Sequence, residues 1–488
     1  MKLTQIDITN FRCFESLTVP LQPDVNVFVG VNASGKTALL DAIAIALYDI
    51  VDANGGGGER EPLARIERMG VDSIVDANDS RGSERQRALQ GANLRPSDIH
   101  MRHGAQEPVR GREEFVQIRT QAGSYYTPQG FTAPTRLDEQ AFIAWTKRIS
   151  YSPPNDFTYS TLLSPEWSAL YHYFGALWQE VRHSDPKALI PIPVVAYYRA
   201  HRHLAQMPRM GDIFQAKLER HDAFQRALDA GANYQAMCRW LYLRENRELR
   251  ERLQIQNDKS FEFPDLRAVR QALCKTLEHV ERVFFDDSPP RLTVAFAPPD
   301  GSPQVLELEQ LSDGYRNLLA VILDFARRLA QAHPNWENPL EAPGILLIDE
   351  IELHLHPQWQ QKIIPNLRAV FPNTQLVVAT HSPQVLTTVE SRNIFILRDR
   401  ELRAAPIQTY GAETKRVQQE VMQTDSRPPD NANADQIREL FRLINQGHLQ
   451  QASALCDALM HKLGQDEPTL IEAQTIIENR VWEKELGL

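Results

Sequence analysis

The sequence predicts an α/β fold in which a mixed sheet is flanked by helices, with a helical insertion and an α-helical C-terminal region. Short β-branched and apolar runs at residues 25–29, 344–348 and 375–380 are typical of buried strands. The first run is followed by a glycine-containing loop and then by apolar residues at helical spacing, which indicates a strand–loop–helix unit. Apolar stripes near the C-terminus predict three further helices, in residues 437–444, 455–463 and 470–481.

Composition places the chain among ordinary globular proteins, because its 488 residues are 42% hydrophobic and 24% charged. No stretch is apolar for long enough to cross a bilayer, and Asp7 lies where a signal peptide needs an apolar core, so we expect a cytoplasmic protein without a membrane partner. The net charge of -10 disfavours non-specific coating of nucleic acid but leaves local nucleic-acid contacts open. The four cysteines form no CxxC pair and indicate neither a zinc site nor a disulfide framework.

The strongest motif is GVNASGKT at residues 30–37, which matches the phosphate-binding pattern GxxxxGK[ST]. Backbone N–H groups of such a loop surround the phosphates, and glycine allows the close approach. Lys36 is expected to bind the β- and γ-phosphates of ATP, and Thr37 to offer its hydroxyl to Mg²⁺. A glycine-rich turn without a ligand is the weaker alternative. The nucleotide-binding candidates in this segment are Gly30, Asn32, Ala33, Ser34, Gly35, Lys36, Thr37 and Ala38.

Two carboxylates end the apolar run that begins at Gly344. Asp349 is placed to hold Mg²⁺ through water, and Glu350 is placed to activate the attacking water as general base. The alternative is that both acids only cap a loop. Another apolar run delivers His381 to the same edge of the sheet, where a histidine can contact the γ-phosphate, although a lone histidine is usually structural. The catalytic candidates are therefore Glu350, His381 and Lys36, and the metal candidates are Thr37 and Asp349.

The segment LSDGYR at residues 311–316 precedes a run of apolar residues at helical spacing. Ser312, Asp313 and Gly314 would lie at the N-terminus of that helix, which is a site suited to anions. A serine cap without any ligand is an equally good interpretation of this segment by itself.

The ordered set of GVNASGKT, LSDGYR, ILLIDE and THSP resembles the ABC-type P-loop ATPases of the SMC, Rad50, RecF and OLD kind, over residues 3 to about 397. The resemblance implies that LSDGYR is the signature motif, that His381 is the switch histidine, and that the signature of one copy completes the ATP site of another. A homodimer or a higher even-numbered oligomer is thus implied. Asp313 departs from the glycine of the transporter signature, and no Q-loop glutamine is evident. The loop after the strand-like residues 192–198, with Arg199, His201 and Arg202, is our candidate for that position.

More narrowly, the chain is similar to PtuA-like ATPases of Septu-type and retron antiphage defence systems, through NVFVGVNASGKTALLDAIA, PVVAYYRAHR, LSDGYRNLLAVILDFARR and IDEIELHLHPQWQ. This resemblance implies an HNH endonuclease partner of the PtuB kind, and in a retron also a reverse transcriptase with its noncoding RNA–DNA product. The alternative is an OLD- or RecF-like ATPase in DNA processing or repair without a dedicated effector nuclease. We expect no nuclease activity in the chain itself, because no strand after His381 ends in the acid pair of a two-metal site.

The segments between the ATPase motifs predict how the rest of the chain is organised. In one of them, arginines and glutamates alternate near residues 239–252, which favours a solvated, salt-bridged helix face over a nucleic-acid contact. After His381 we expect only one more strand, at residues 394–397, before the helical tail. The predicted segments are an N-terminal core part with the phosphate loop (1–51), an insertion with lobe strands that is partly mobile (52–140), a return to the core (141–203), a helical insertion (204–285), the C-terminal core part (286–410) and a helical partner-docking region (411–488).

Overall fold

The chain forms two compact units, Met1–Val417 and Gln418–Leu488. Most of the insertion predicted to be partly mobile, residues 56–113, lies outside the described residues, as do His201 and Arg202. The computed structural model describes residues 1–55, 114–124, 126–131, 135–137, 140–152, 156–158, 165–185, 187–200, 218–229, 231–255, 260–287, 290–298, 301–425 and 427–486.

The strands of the described residues all belong to the first unit. They are β1 (Lys2–Phe11), β2 (Phe14–Pro20), β3 (Val25–Val29), β4 (Glu114–Ser124), β5 (Thr135–Leu137), β6 (Gln140–Ser152), β7 (Asp156–Thr158), β8 (Val194–Tyr198), β9 (Val280–Asp287), β10 (Pro290–Phe296), β11 (Gln304–Glu307), β12 (Gly344–Ile348), β13 (Thr374–Thr380), β14 (Ile394–Arg398) and β15 (Glu401–Ala404).

Helices occur in both units. They are α1 (Lys36–Gly55), α2 (Pro165–His183), α3 (Tyr234–Arg250), α4 (Pro264–Thr276), α5 (Asp313–Ala332), α6 (Pro357–Gln360), α7 (Ile363–Val370), α8 (Pro383–Leu386), α9 (Thr414–Glu420), α10 (Ala432–Asn445), α11 (Leu449–Leu463) and α12 (Pro468–Leu486).

The central sheet has the strand order β15-β14-β3-β13-β12-β8. All neighbours are parallel except β14 and β15, so the sheet is mixed, as predicted. β3, β8, β12 and β13 are buried along their whole length, which explains why their sequences are mostly apolar. Because the strands are parallel, the loops that follow β3, β13, β12 and β8 all emerge at one edge.

A second, antiparallel sheet has the order β2-β1-β4-β6-β5, with β7 paired to β6. Its strand β1 is fastened to the central sheet by Gln375, whose amide exchanges two hydrogen bonds of 2.8 Å with the backbone of Leu3. A third sheet, β11-β10-β9, is also antiparallel. The expectation of a single strand after His381 was wrong, because β15 follows β14 as an antiparallel neighbour. Its four residues are mostly exposed and contain no apolar run that would reveal the strand.

The predicted helical insertion contains α3 and α4, and its charged residues form ion pairs. Arg244 pairs with Asp265 at 2.5 Å, and Arg270 of α4 reaches Glu245 at 3.0 Å and Glu248 at 3.1 Å. Glu248 is only 3% exposed. The salt-bridged character was therefore predicted correctly, and Arg247 and Arg250 are exposed, but the acids Glu245 and Glu248 lie between the two helices.

The C-terminal unit contains the three helices predicted from its apolar stripes, α10, α11 and α12. They enclose a core of their own, formed by Ile437, Leu440, Leu443, Ile444, Ala452, Cys456, Leu459, Leu470, Ala473 and Ile477. The first two helices end at glycines with positive φ, Gly447 and Gly464, where the chain must turn sharply. Val481 of the predicted third stripe is not part of this core and is exposed.

Candidate functional site

The glycine-containing loop joins β3 to α1, as its sequence predicted. A Cβ at Gly30 would lie 2.4 Å from the carbonyl oxygen of Leu397, and Gly35 adopts φ +104°. Both positions therefore require glycine. The ammonium of Lys36 donates hydrogen bonds to the carbonyl oxygens of Gly30 at 2.9 Å and Val31 at 3.1 Å, so it is held against the loop.

The two metal candidates, Thr37 and Asp349, are in direct contact. Asp349 follows β12 and is only 3% exposed, and its Oδ2 accepts a hydrogen bond of 2.7 Å from the hydroxyl of Thr37. Its backbone N–H donates to the carbonyl oxygen of Tyr198 at 2.8 Å, which fixes the end of β12 against β8. A hydroxyl and a carboxylate at this distance are hard oxygen donors of the kind that Mg²⁺ prefers.

Glu350 begins a tight turn over residues 350–355 and adopts φ +46°, a conformation that is uncommon for a residue with a side chain. The turn is closed by hydrogen bonds from Leu353 N–H to the Glu350 carbonyl and from Leu355 N–H to the Glu352 carbonyl, at 3.1 and 2.9 Å. Glu350 lines the same cleft as Thr37 and Asp349.

His381 follows β13, which lies between the phosphate-loop strand β3 and the strand β12 that leads to Asp349. Its backbone N–H donates to Glu352 at 2.5 Å, and the hydroxyl of Thr380 donates to the same carboxylate at 2.7 Å. Burial and the nearby Lys36 ammonium lower the pKa of His381, so the imidazole is neutral near pH 7. Glu352 was missed by the sequence analysis, because only the neighbouring strand shows what it holds.

Burial lowers the pKa of Lys36 from its ordinary value, while Asp349, Glu352 and Glu350 act in the opposite direction. The surrounding acids thus favour a cation at this point of the loop. The hydroxyl of Ser34 is buried and has no hydrogen-bond partner within the described residues. A closely wrapped loop, one lysine, an unsatisfied hydroxyl and the Thr37–Asp349 pair fit the phosphates and Mg²⁺ of a nucleotide.

A cleft of about 630 Å³ extends from Thr37, Asp349 and Glu350 and is called the Asp41 cleft below. Asp41 of α1 lines it and accepts hydrogen bonds from Arg12 at 2.6 Å, from the Arg199 Nε at 3.0 Å and from Tyr197 at 2.8 Å. Burial alone would raise the pKa of Asp41, but these donors hold it below its ordinary value. The structure thus brings the Q-loop candidate Arg199 to the site, together with Asp41 and Arg12, which sequence reasoning missed.

The signature candidates lie at the start of α5, as predicted. Ser312 precedes the helix but makes no capping hydrogen bond with its side chain, and both Ser312 and Asp313 are exposed. Gly314 is buried, and a Cβ there would lie 2.4 Å from the carbonyl oxygen of His354 in the 350–355 turn. These three residues do not line the Asp41 cleft as far as the described part of the chain shows.

Two family models of ATPase domains match the segments of the chain that carry the candidate site residues. A family model described as "AAA ATPase domain" matches residues 1–79, which include the phosphate loop. A second, described as "AAA domain, putative AbiEii toxin, Type IV TA system", matches residues 215–387, which include Ser312, Asp349 and His381.

Individual proteins similar to the chain include ATPases of retrons and a Septu protein. The chain is 42% identical over 180 residues to the Retron Ec83 probable ATPase of Escherichia coli, covering 36% of this chain and 33% of that protein. It is 50% identical over 98 residues to the Retron Vc95 probable ATPase of Vibrio cholerae serotype O1 biovar El Tor, covering 20% and 19%. It is 38% identical over 101 residues to the Septu protein PtuA of Bacillus mycoides (strain KBAB4), covering 21% and 14%.

The chain is thus similar to ATPases of retrons and to Septu PtuA proteins. The aligned stretches span a third or less of the length of these relatives.

Among solved structures, an SMC head bound to the C-terminal winged-helix domain of ScpA matches with a TM-score of 0.42 and 15% identity, covering 84% of this chain and 98% of that one. Within the described ranges, no helix is long and apolar enough to span a membrane, and no cluster of three or more His, Cys, Asp or Glu side chains could hold a metal ion.

Proposed function

We propose that the protein binds ATP with Mg²⁺ and hydrolyses it in composite sites formed by two copies, and that the ATP-dependent state controls an HNH nuclease in an antiphage defence complex of the Septu or retron type. The observation that carries the ATPase part is the convergence of Lys36, the Thr37–Asp349 pair, Glu350 and His381 at one edge of the central sheet.

Each side chain has a distinct task in this proposal. Lys36 binds the β- and γ-phosphates, and Thr37 and Asp349 would hold Mg²⁺. Bound Mg²⁺ would neutralise charge on the phosphate oxygens. The Glu350 carboxylate accepts the proton of the attacking water, and His381 contacts the γ-phosphate. Glu352 is a positioning residue, since it holds the backbone of His381 rather than any reacting atom.

The exposed start of α5 supports the two-copy arrangement. Ser312 and Asp313 are exposed at the N-terminus of a 20-residue helix, where backbone N–H groups and the helix dipole favour an anion, and the Asp313 carboxylate is already paired with Arg316. In the proposal, this end of one copy binds the γ-phosphate held by the other. The resemblance of the motif set to ABC-type ATPases gives the same arrangement.

Named relatives support the defence context. Two are called retron ATPases and two are called Septu protein PtuA. The proposed partner is a PtuB-like HNH endonuclease that docks on the C-terminal helices, and in a retron the complex also holds a reverse transcriptase and its RNA–DNA product. ATP binding and hydrolysis would switch the complex between two states.

A second candidate is an OLD- or RecF-like ATPase that acts in DNA processing without an effector nuclease. It is favoured by the 51% identity over 43 residues to the DNA replication and repair protein RecF of Lactococcus lactis, although this covers only 9% of the chain. The two candidates differ in their partner, since only the first requires a nuclease.

ATP turnover and nucleotide binding test the enzyme part. Lys36→Ala should abolish both, whereas Glu350→Gln should bind ATP, hydrolyse it at least about a hundredfold more slowly and accumulate as a dimer. Sedimentation of the Glu350→Gln variant with and without ATP measures that dimer. Hydrolysis at the normal rate by Glu350→Gln would remove the general-base assignment.

Purification with the products of neighbouring genes tests the partner. An HNH nuclease should co-elute with the full chain, and mass spectrometry identifies it. Absence of such a protein, combined with stimulation of ATP turnover by DNA alone, would favour the second candidate instead.

A further inference from the structure

The helical insertion contributes one wall of the Asp41 cleft. Thr37, Asp349 and Glu350 line this cleft together with Arg226, Asp229 and residues 231–235 of the insertion. The insertion therefore reaches the metal and general-base side of the proposed ATP site. Among the residues of this wall, Arg226 brings a cation that no ATPase motif of the sequence accounts for.

The position of Arg226 is fixed by the backbone on both sides of it. The carbonyl oxygen of Ala227 accepts a hydrogen bond of 2.9 Å from the N–H of Tyr197 in β8. The carbonyl oxygen of Gln225 accepts one of 3.0 Å from the guanidinium of Arg328 in α5. Arg226 itself adopts φ +53°, which costs conformational energy for a residue with a side chain. The fold thus holds a strained arginine at a defined place in the cleft.

Two other arginines near the cleft, among the residues that the structure describes, have a different environment. Arg12 and Arg199 both donate to the buried carboxylate of Asp41, which fixes them in place. Arg226 pairs with Asp229 at 2.9 Å, and these two side chains are 65% and 45% exposed. Exposed pairs of this kind contribute little to stability, so the guanidinium can leave Asp229 for a stronger anion at small cost. A triphosphate carries such an anion, and guanidinium groups bind phosphate oxygens by paired hydrogen bonds.

We propose that Arg226 binds the terminal phosphate of ATP in the Asp41 cleft, exchanging its partner Asp229 for the γ-phosphate. This inference rests on the proposed ATPase function. Arg226 would make the helical insertion sensitive to whether the nucleotide is ATP or ADP, because only ATP presents the terminal phosphate. Arg226 would also place a positive charge from the same chain next to the γ-phosphoryl group that is transferred.

The test compares the affinities of the full chain for two probes, ADP and the non-hydrolysable analogue AMP-PNP, each with Mg²⁺, by isothermal titration calorimetry. The variant is Arg226→Asn, since asparagine tolerates positive φ. Its affinity for AMP-PNP should fall about tenfold or more, whereas its affinity for ADP should stay within about twofold of the unchanged protein. Arg250→Ala removes an exposed arginine of the same insertion outside the cleft and should change neither affinity.

Outcomes separate this inference from the proposed function. If the unchanged protein binds neither probe, the ATPase proposal itself fails. If it binds both and Arg226→Asn lowers neither affinity, or lowers both equally, the assignment of Arg226 to the terminal phosphate is overturned. Asp229→Asn provides a second variant that leaves Arg226 intact: it should raise the affinity for AMP-PNP about twofold or more without changing that for ADP, and a fall in AMP-PNP affinity would contradict the exchange of partners.

Discussion

Glu352 and His381 are joined by a hydrogen bond of 2.5 Å from the backbone N–H of the histidine to the carboxylate. Glu352 lies in the 350–355 turn after β12, and His381 lies directly after β13, so this bond links the ends of two neighbouring parallel strands. The same carboxylate accepts the hydroxyl of Thr380. The general-base candidate and the switch-histidine candidate are thus held in one arrangement.

Glu352→Ala should slow ATP hydrolysis about tenfold or more while nucleotide affinity changes little, because a misplaced His381 affects the reacting geometry more than phosphate binding. Steady-state turnover and calorimetric binding measure the two effects. Glu352→Gln keeps an oxygen acceptor for the His381 N–H and should be less impaired. Equal turnover in the alanine variant and the unchanged protein would show that Glu352 does not position the histidine.

Gly314→Ala should lower the free energy of unfolding by about 1–3 kcal/mol, because its Cβ would lie 2.4 Å from the carbonyl oxygen of His354. Gly175→Ala in α2 is the matched control, since nothing lies within 4 Å of a Cβ there. Alanine in a helix should make that variant more stable by about 0.5–1 kcal/mol. Denaturant unfolding measures both changes, and a Gly314→Ala variant as stable as the control would disprove the close contact.

Asp324→Asn should destabilise the protein by about 3–5 kcal/mol. Asp324 is fully buried and accepts hydrogen bonds from Arg327 at 2.7 Å, Arg328 at 3.0 Å and Tyr198 at 2.8 Å. Burial would raise the pKa of Asp324, but the two guanidinium groups lower it to about 2. The carboxylate is therefore ionised at neutral pH and balances the charge of Arg327 and Arg328. The substitution leaves buried positive charge without compensation.

Glu337→Gln is the control for this charge effect, because Glu337 is 87% exposed although it also pairs with an arginine. Its unfolding free energy should change by less than about 1 kcal/mol. Urea denaturation compares the two variants, and similar effects from both would show that the buried network is not needed for stability.

Stability should fall as the pH is lowered from about 7 to 5, in part through His333. Burial, with a smaller contribution from Arg220, lowers the pKa of this histidine to about 4. Its Nε2 accepts the N–H of Ile192 at 3.0 Å and its Nδ1 lies 2.9 Å from the Leu329 carbonyl oxygen, a pair of contacts that suits the neutral ring. Between an unfolded pKa near 6.5 and the folded value, only the unfolded state binds the proton, so acid favours unfolding.

This histidine should cost about 2 kcal/mol of stability at pH 5 relative to pH 8. His333→Gln removes the titrating group and should flatten the pH dependence over that range, although its stability at pH 8 should be lower. Thermal unfolding at a series of pH values measures the difference between the two proteins. An unchanged slope in the glutamine variant would show that His333 does not titrate on unfolding.

Local patterns allowed much of the fold and the site to be predicted. The phosphate loop could be placed because its strand, glycines and helix are consecutive in sequence. The helices α5, α10, α11 and α12 were recognisable because each carries an apolar face with helical spacing. The acids after β12 and the histidine after β13 could be placed because each follows a short run of apolar residues typical of a buried strand.

Non-local relationships could not be predicted in the same way. Nothing in the sequence of β3 shows that it pairs with β13 and β14 rather than with β12, because parallel partners are set by the packing of the whole sheet. Glu352, Arg12 and Asp41 gain their importance only from neighbours that are distant in sequence. The ion pairs of α3 lie in a buried contact with α4, which its alternating charges alone do not reveal.

The contact of Gly314 with the carbonyl oxygen of His354 has a mechanical consequence. It presses the first turn of α5 against the 350–355 turn, so neither can shift without moving the other. In a pair of copies, the helix end presented to the partner would rest on the turn that begins with its own chain's general-base candidate, Glu350. Binding of the second copy at the start of α5 would then also set the position of the turn that carries Glu350. Dimerisation and hydrolysis would therefore be coupled in each copy.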